Sequence, residues 1–197
     1  MLITDIKFSK NNKILIYSGD RYLTSLSPEV FARYNLRINS EISESELESI
    51  ILNSQEYKAK ERALNILSYR AHSKNELKNK IKAKFGEQCA QNTVNKIEEL
   101  GLIDDKAFAE NYALELMNKK YYSKRRVKFE LMKKNISPEI INNILNNIEI
   151  DEYEILRNII EKKNFDNITD EKSKRRAINY LLRLGYDFEQ INNILKI

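Results

Sequence analysis

The chain repeats itself at a spacing of fifty residues. Ser123-Lys124-Arg125-Arg126 recurs as Ser173-Lys174-Arg175-Arg176, and Ile141-Asn142-Asn143-Ile144-Leu145 recurs as Ile191-Asn192-Asn193-Ile194-Leu195. A fixed period of this size marks stacked copies of one supersecondary unit, not a single large enzyme core. The same offset relates Ala63-Leu64, Leu67, Arg70 and Ser73 to Ala113-Leu114, Met117, Lys120 and Ser123. The third copy loses this register before Ser173, where Ile159-Ile160 and Phe165 lead into a longer connection through Asn167-Ile168-Thr169-Asp170. The first copy carries extra residues around Phe85-Gly86-Glu87-Gln88. The units so defined are 57–103, 104–150 and 151–197, behind an N-terminal element of residues 1–56.

The N-terminal element reads differently from the rest. Ile14-Leu15-Ile16-Tyr17, then Ser18-Gly19-Asp20, then Tyr22-Leu23-Thr24 is a strand, a turn and a strand, and Ile3 to Phe8 can add a third. Such a small antiparallel sheet needs helices to pack on. Beyond it, only 4 Gly and 2 Pro in 197 residues favour helix. Helix starts are marked by Ser27-Pro28-Glu29 and Ser137-Pro138-Glu139, where a capping hydroxyl precedes a first-turn proline. Ser43 with Glu46, Ser73 with Glu76 and Asp187 with Gln190 have capping-box spacing or its close relative. The expected fold is mainly α. Three tandem three-helix repeats form an elongated array, preceded by a small antiparallel β element and short helices.

Catalytic chemistry finds little support. Asp104 and Asp105 point about 100° apart on a helix, so helix capping suits them better than an acid–base dyad. His72 has no second ligand near it at zinc spacing, and four glycines cannot build a phosphate loop. Cys89, alone, forms no internal disulfide and reads as a small half-buried helix residue. No cofactor and no metal are expected. There is no membrane-length apolar run, and Asp5, Lys7 and Lys10 interrupt any signal peptide, so a cytoplasmic address is expected.

Charge points to binding instead. The net charge is only +5, but residues 118–134 carry eight Lys and Arg against Glu130 alone, whereas 40–57 carry five Glu and no base. Such a basic cluster suits an acidic or polyanionic partner, although a solvated helix face has the same composition. Stepping 100° per residue along the helix near Ser123 puts Val127 and Leu131 in the core, with Arg126 and Lys133 outside and Phe129 between them. Fifty residues on, Ala177 and Leu181 take the buried positions, and Arg176 and Arg183 the outer ones. The first unit has Glu76 and Ala83 there, so the cationic rows belong to the last two units.

At this level of detail the chain resembles a known family. Ala63-Leu64, Leu67, Arg70, Ser73 and Glu76-Leu77 are similar to the opening pattern of the RecX regulatory proteins. Leu100-Gly101-Leu102-Ile103-Asp104-Asp105, followed by Phe108-Ala109 and Tyr112, resembles that family's most recognisable segment, and Glu130-Leu131-Met132-Lys133-Lys134-Asn135-Ile136 a further one. The resemblance spans essentially the whole chain. Where the family usually carries glycine, this chain has Tyr121 or Tyr122 and Asn135. Asn can still take the left-handed conformation that ends a helix.

The resemblance implies a monomeric, non-enzymatic regulator that lies along the groove of a RecA recombinase filament on DNA. It would restrain the filament's ATPase, strand exchange and coprotease activity. The residues expected to meet the partner or DNA are Arg70, Lys120, Lys124, Arg125, Arg126, Lys133, Lys134, Lys174, Arg175, Arg176 and Arg183. A stand-alone helical-repeat protein that binds nucleic acid through the same rows is the alternative, followed by a structural adaptor with no link to DNA.

Overall fold

Alternating apolar residues build the N-terminal sheet. In the computed structural model, which describes residues 1–195, β1 (Asp5–Ser9), β2 (Lys13–Ser18) and β3 (Arg21–Leu26) form an antiparallel meander in sequence order. Ile16 pairs with Ile6 on one side and Thr24 on the other, and it is buried along with Ile14. The sheet buries Ile3, Ile16 and Leu26 against Val30 of α1 (Pro28–Phe31) and against Leu47 and Ile50 of α2 (Glu44–Tyr69). Three strands gain independent stability only through such packing.

The two helices after the sheet differ greatly in length. Ser27 caps α1 ahead of Pro28, and that helix lasts one turn. Ser43 and Glu46 form a complete capping box, after which α2 runs for 26 residues without a Gly or Pro to stop it. The boundary expected between residues 56 and 57 therefore falls inside a continuous helix. The reason lies in its two ends. Leu47 and Ile50 serve the sheet, while Ala59, Ala63 and Ile66 are buried further along, where α2 packs on α4 (Glu87–Glu99). Gly86 alone separates α4 from α3 (Lys74–Phe85). Residues 1–70 and 77–102 make one compact unit.

Residues 71–76 and 103–197 make the other, whose last two positions lie outside the described residues. It holds two three-helix repeats. In the first, α5 (Asp105–Lys120), α6 (Lys124–Lys133) and α7 (Pro138–Asn147) enclose Ala109, Ala113, Met117, Val127, Leu131 and Ile141. In the second, α8 (Glu152–Lys162), α9 (Glu171–Leu184) and α10 (Phe188–Leu195) enclose Leu156, Ile160, Leu181, Tyr186 and Ile191. The longer connection expected in the last repeat carries a single 3-10 turn, Phe165–Asn167.

The caps expected from the sequence form. Asp104 accepts from the N–H groups of Lys106 and Ala107, Ser137 from Ile140, and Asp187 and Gln190 cap each other reciprocally. Ser123 caps α6, but α9 starts a turn before Ser173, because Asp170 accepts from the Ser173 N–H at 2.8 Å. Hydrogen bonds from Ser173 hold the Asp170 carboxyl below its usual range. The repeated Ser-Lys-Arg-Arg thus keeps its helical face and loses its capping role.

Within this unit, one joint is made twice. Ser73 Oγ donates to the Lys134 carbonyl at 3.0 Å, and the Lys74 N–H donates to Asp105 Oδ1 at 2.7 Å. Fifty residues on, the Ser123 N–H donates to the Leu184 carbonyl at 3.0 Å, and the Lys124 N–H donates to Glu152. Residues 134 and 184 each precede a left-handed position, Asn135 at φ 56° and Gly185 at φ 101°. So the left-handed end of a repeat's second helix is received by the start of the second helix before it.

Candidate partner-binding surface

The basic segment of α6 divides into two sets with different work. In the first, Arg126 and Lys133 flank Phe129, Lys133 exposed and Arg126 half-buried, with the Arg126 Nε fully covered and without a hydrogen-bond partner. The Arg126 guanidinium lies 5.4 Å from the ring centroids of both Tyr122 and Phe129, and Lys133 Nζ lies 4.3 Å from Phe129. Helical spacing of three, four and seven residues brings these side chains together, as the sequence indicated. Glu130 is shared between them, 2.8 Å from Arg126 and 3.4 Å from Lys133. Phe129 is 48% exposed. A large ring held in solvent between two cations forms a contact surface in which exposed pairs contribute only about 0.2–1 kcal/mol each.

Lys124, Arg125 and Lys134 form the second set. Lys124 Nζ donates to the Ile148 carbonyl at 2.9 Å, capping the end of α7. Arg125 donates through Nε to the Gly185 carbonyl at 3.0 Å and through Nη2 to the Tyr186 carbonyl at 3.3 Å. Lys134 pairs with Glu76 and sits 5.6 Å over the Tyr112 ring. Helix ends leave carbonyls without partners, and a cation there also meets the negative end of the helix dipole. The sequence grouped these three with the partner surface; in the structure Arg125 and Lys134 bond to a neighbouring repeat, while the Lys124 side chain closes the last helix of its own repeat and only its N–H reaches the next, at Glu152.

On α9 the second cationic row is free of such work. Ala177 and Leu181 are buried, and Arg176 and Arg183 are exposed on the opposite side. With Asn179 and Leu182 they line a shallow open depression of about 550 Å³. Neither arginine is engaged in an ion pair among the described residues. Arg175 is exposed and Lys174 half-buried. Arg70 closes α2 and is exposed, in the other compact unit.

A further surface feature has no counterpart in the expected set except Lys120. The ends of α5 and α8 form a groove of about 520 Å³ whose walls include Lys119, Lys120, Tyr121, Lys162, Lys163 and Tyr180. The signal for it is present in the sequence. Lys119-Lys120 is followed by Tyr121 at φ 57°, and Lys162-Lys163 by Asn164 at φ 52°. These pairs stand forty-three apart, so a search at the fifty-residue period misses them. Below the groove, the buried Tyr186 hydroxyl donates to the Tyr121 carbonyl at 3.1 Å. Burial, with Glu152 nearby, raises the Tyr186 pKa well above the ordinary tyrosine value. Cys89 is buried in α4, and burial raises its thiol pKa as well.

The likeness to known proteins covers all of this. Family profiles described as the first, second and third three-helix domains of RecX match residues 59–96, 104–145 and 149–195 in that order. The regulatory protein RecX of Clostridioides difficile (strain 630) is 28% identical over 200 residues, covering 98% of this chain and 94% of that protein. That of Chlorobium phaeobacteroides (strain BS1) is 31% identical over 139 residues, covering 70% of this chain and 91% of its own length. A crystal structure of regulatory protein RecX superimposes with a TM-score of 0.71 at 21% identity, covering 100% of this chain and 99% of that one. Three domain profiles in the family's order, laid on repeats whose joints recur within the fold, show that this chain belongs to the RecX family of regulatory proteins.

Proposed function

We propose that this protein is a non-enzymatic regulator of a RecA-type recombinase. On this reading it binds the recombinase filament on DNA along its groove and lowers ATPase, strand-exchange and coprotease activity. Membership of a family of regulatory proteins supports the class of function. The observation that carries the contact surface is the pair Arg176 and Arg183, exposed one heptad apart on α9 without ion-pair partners among the described residues. Residues seven apart on a helix share one face, so the two present a row, not a point. Arg126, Phe129 and Lys133 on α6 supply a second row in the preceding repeat. Lys124, Arg125 and Lys134 support these rows by fixing one repeat against the next.

Periodic contacts suit a periodic target. Each row alone binds weakly, but tethered rows act at high effective concentration once the first is engaged. Affinity for assembled filament should therefore exceed affinity for free recombinase subunits, and one copy of the chain supplies the multivalency. The test is recombinase ATPase on single-stranded DNA, titrated with the protein and with a variant carrying Lys133→Gln, Arg176→Gln and Arg183→Gln. Inhibition by the parent chain, weakened at least tenfold in the variant, is expected. Equal inhibition by both, or equal affinity for filament and free subunits, refutes the reading. Tight binding to bare DNA at physiological salt, with no effect on the filament, would favour the stand-alone nucleic-acid reading, whose affinity falls steeply with salt.

A further inference from the structure

The groove between the ends of α5 and α8 is built unlike the arginine rows. Its cations are lysines and its walls are tyrosines. Lys162 Nζ lies 5.7 Å from the Tyr121 ring centroid, Lys163 Nζ 5.0 Å from that of Tyr180, and Lys120 Nζ 6.0 Å from that of Tyr122. None of the lining residues is acidic, so no carboxylate in the wall neutralises these ammonium groups. At about 520 Å³ the groove falls within the roughly 300–1,000 Å³ typical of small-molecule sites.

Lysines at helix C-termini have an ordinary explanation in the helix dipole. What is unusual is the choice of tyrosine at the end of α5: Tyr121 holds φ 57° and ψ 34°, the left-handed helix ending that Gly or Asn usually supplies and a bulky side chain rarely adopts. The surroundings enforce it. The Tyr121 N–H donates to the Leu116 carbonyl, as does the Tyr122 N–H, and the Tyr186 hydroxyl grips the Tyr121 carbonyl. Tyr121 nonetheless keeps 37% of its surface exposed, so the residue that bears this backbone cost still faces the groove and solvent in part. Strain held in place by its neighbours is a pointer to a working side chain.

The geometry points to a binding site for a nucleoside phosphate. Phosphate oxygens would be held by the ammonium groups of Lys120, Lys162 and Lys163. The base would stack on Tyr121 or Tyr180, and Asn158, which also lines the groove, offers an amide to its edge. Lysines tracking phosphate beside aromatic faces that accept any base is the general arrangement for flexible nucleotides. The ligand could be a free nucleotide or one nucleotide of a single strand, since both present the same chemistry. This site involves neither Arg176 nor Arg183, and it stands or falls without any recombinase in the assay.

The test uses the full chain and four probes: a fluorescent ATP analogue, a labelled oligothymidylate, inorganic tripolyphosphate and a polyglutamate peptide. The variants are Lys162→Gln with Lys163→Gln, and Tyr121→Gly, the latter chosen because glycine accepts positive φ without strain. Tyr121→Gly should melt no lower than the parent chain, so a binding loss is not a folding loss. Both variants are expected to weaken the nucleotide or the oligonucleotide about tenfold, the scale of one lost stacked base. For the oligonucleotide, the lysine variant should also lower the slope of log affinity against log salt by about 1.4, two phosphate contacts on a single strand. Binding of the ATP analogue assigns the site to free nucleotide, and binding of the oligonucleotide alone assigns it to a strand. The proposal is overturned if neither binds, if tripolyphosphate or polyglutamate binds as tightly, or if Tyr121→Gly leaves affinity unchanged.

Discussion

A Cβ placed on Gly185 would come within 2.3 Å of Ser123 Oγ. The same atom would lie 2.5 Å from the Arg126 Cβ, and Gly185 already sits at φ 101°. Glycine is required here twice over, for the left-handed turn and for the close approach of one repeat to the next. Gly185→Ala should cost about 2–4 kcal/mol, adding left-handed strain to overpacking against a helix start. Denaturant unfolding measures it. At the matching position, Asn135→Gly should stay within about 1 kcal/mol of the parent, because Asn tolerates φ 56°. Equal losses in the two variants would show that the joints are not built alike.

Tyr186 should make the protein sensitive to alkali. Its hydroxyl is held neutral by burial, so its folded pKa lies above the ordinary tyrosine value of 10. A raised pKa contributes stability that is complete below the unfolded value and is lost as pH rises toward the folded one. The parent chain should therefore lose stability above about pH 10, and Tyr186→Phe should lose less over that range. At pH 7 the same variant should be about 1 kcal/mol less stable, having lost the hydrogen bond to the Tyr121 carbonyl. Melting curves at pH 7 and pH 10.5 separate the effects. Parallel losses in both chains would remove Tyr186 from the explanation.

Much of this architecture was open to reading from local chemistry. Ser43 with Glu46 and Asp187 with Gln190 cap as their spacing implies, because a cap needs only neighbouring residues. Val127, Leu131, Ala177 and Leu181 are buried as helical periodicity requires. What sequence spacing could not supply is the far end of a long-range contact. Nothing local says that Arg125 reaches carbonyls sixty residues away, so it looked like surface charge. Ser173 repeats Ser123 in sequence but not in capping, because Asp170 stands three residues earlier and starts the helix first. The lysine–tyrosine groove was hidden because the insertion before α9 shifts its two halves off the fifty-residue period.

The two kinds of arginine should separate cleanly under mutation. Arg125→Ala removes two donors from carbonyls at the end of α9, and should lower stability by about 1.5–3 kcal/mol, the range for hydrogen bonds to a charged group. Arg176→Gln with Arg183→Gln removes no ion pair among the described residues and should change stability by less than about 0.5 kcal/mol. Chemical denaturation of the three chains is sufficient. A stable Arg125→Ala would return that residue to the partner surface, and an unstable double variant would give the α9 row a structural role.

Acid should loosen the turn between α3 and α4 through Glu87. Its carboxylate sits between Lys78 at 2.7 Å and Lys82 at 2.6 Å, in the first turn of α4, where the helix dipole also favours negative charge. Hydrogen bonds from the two ammonium groups hold its pKa down to about 2. A depressed carboxyl contributes stability that is complete above the unfolded value, near 4.3, and is lost as pH falls through the folded one. The window for this residue thus runs from about pH 4.5 down to about 2. Glu87→Gln removes the titrating group while keeping its shape, so the melting temperatures of parent and variant should differ at pH 7 and converge by pH 2. Because the pair is exposed, the difference should also shrink in high salt. A gap that persists unchanged from pH 7 to pH 2 would mean the amide lost packing, not charge.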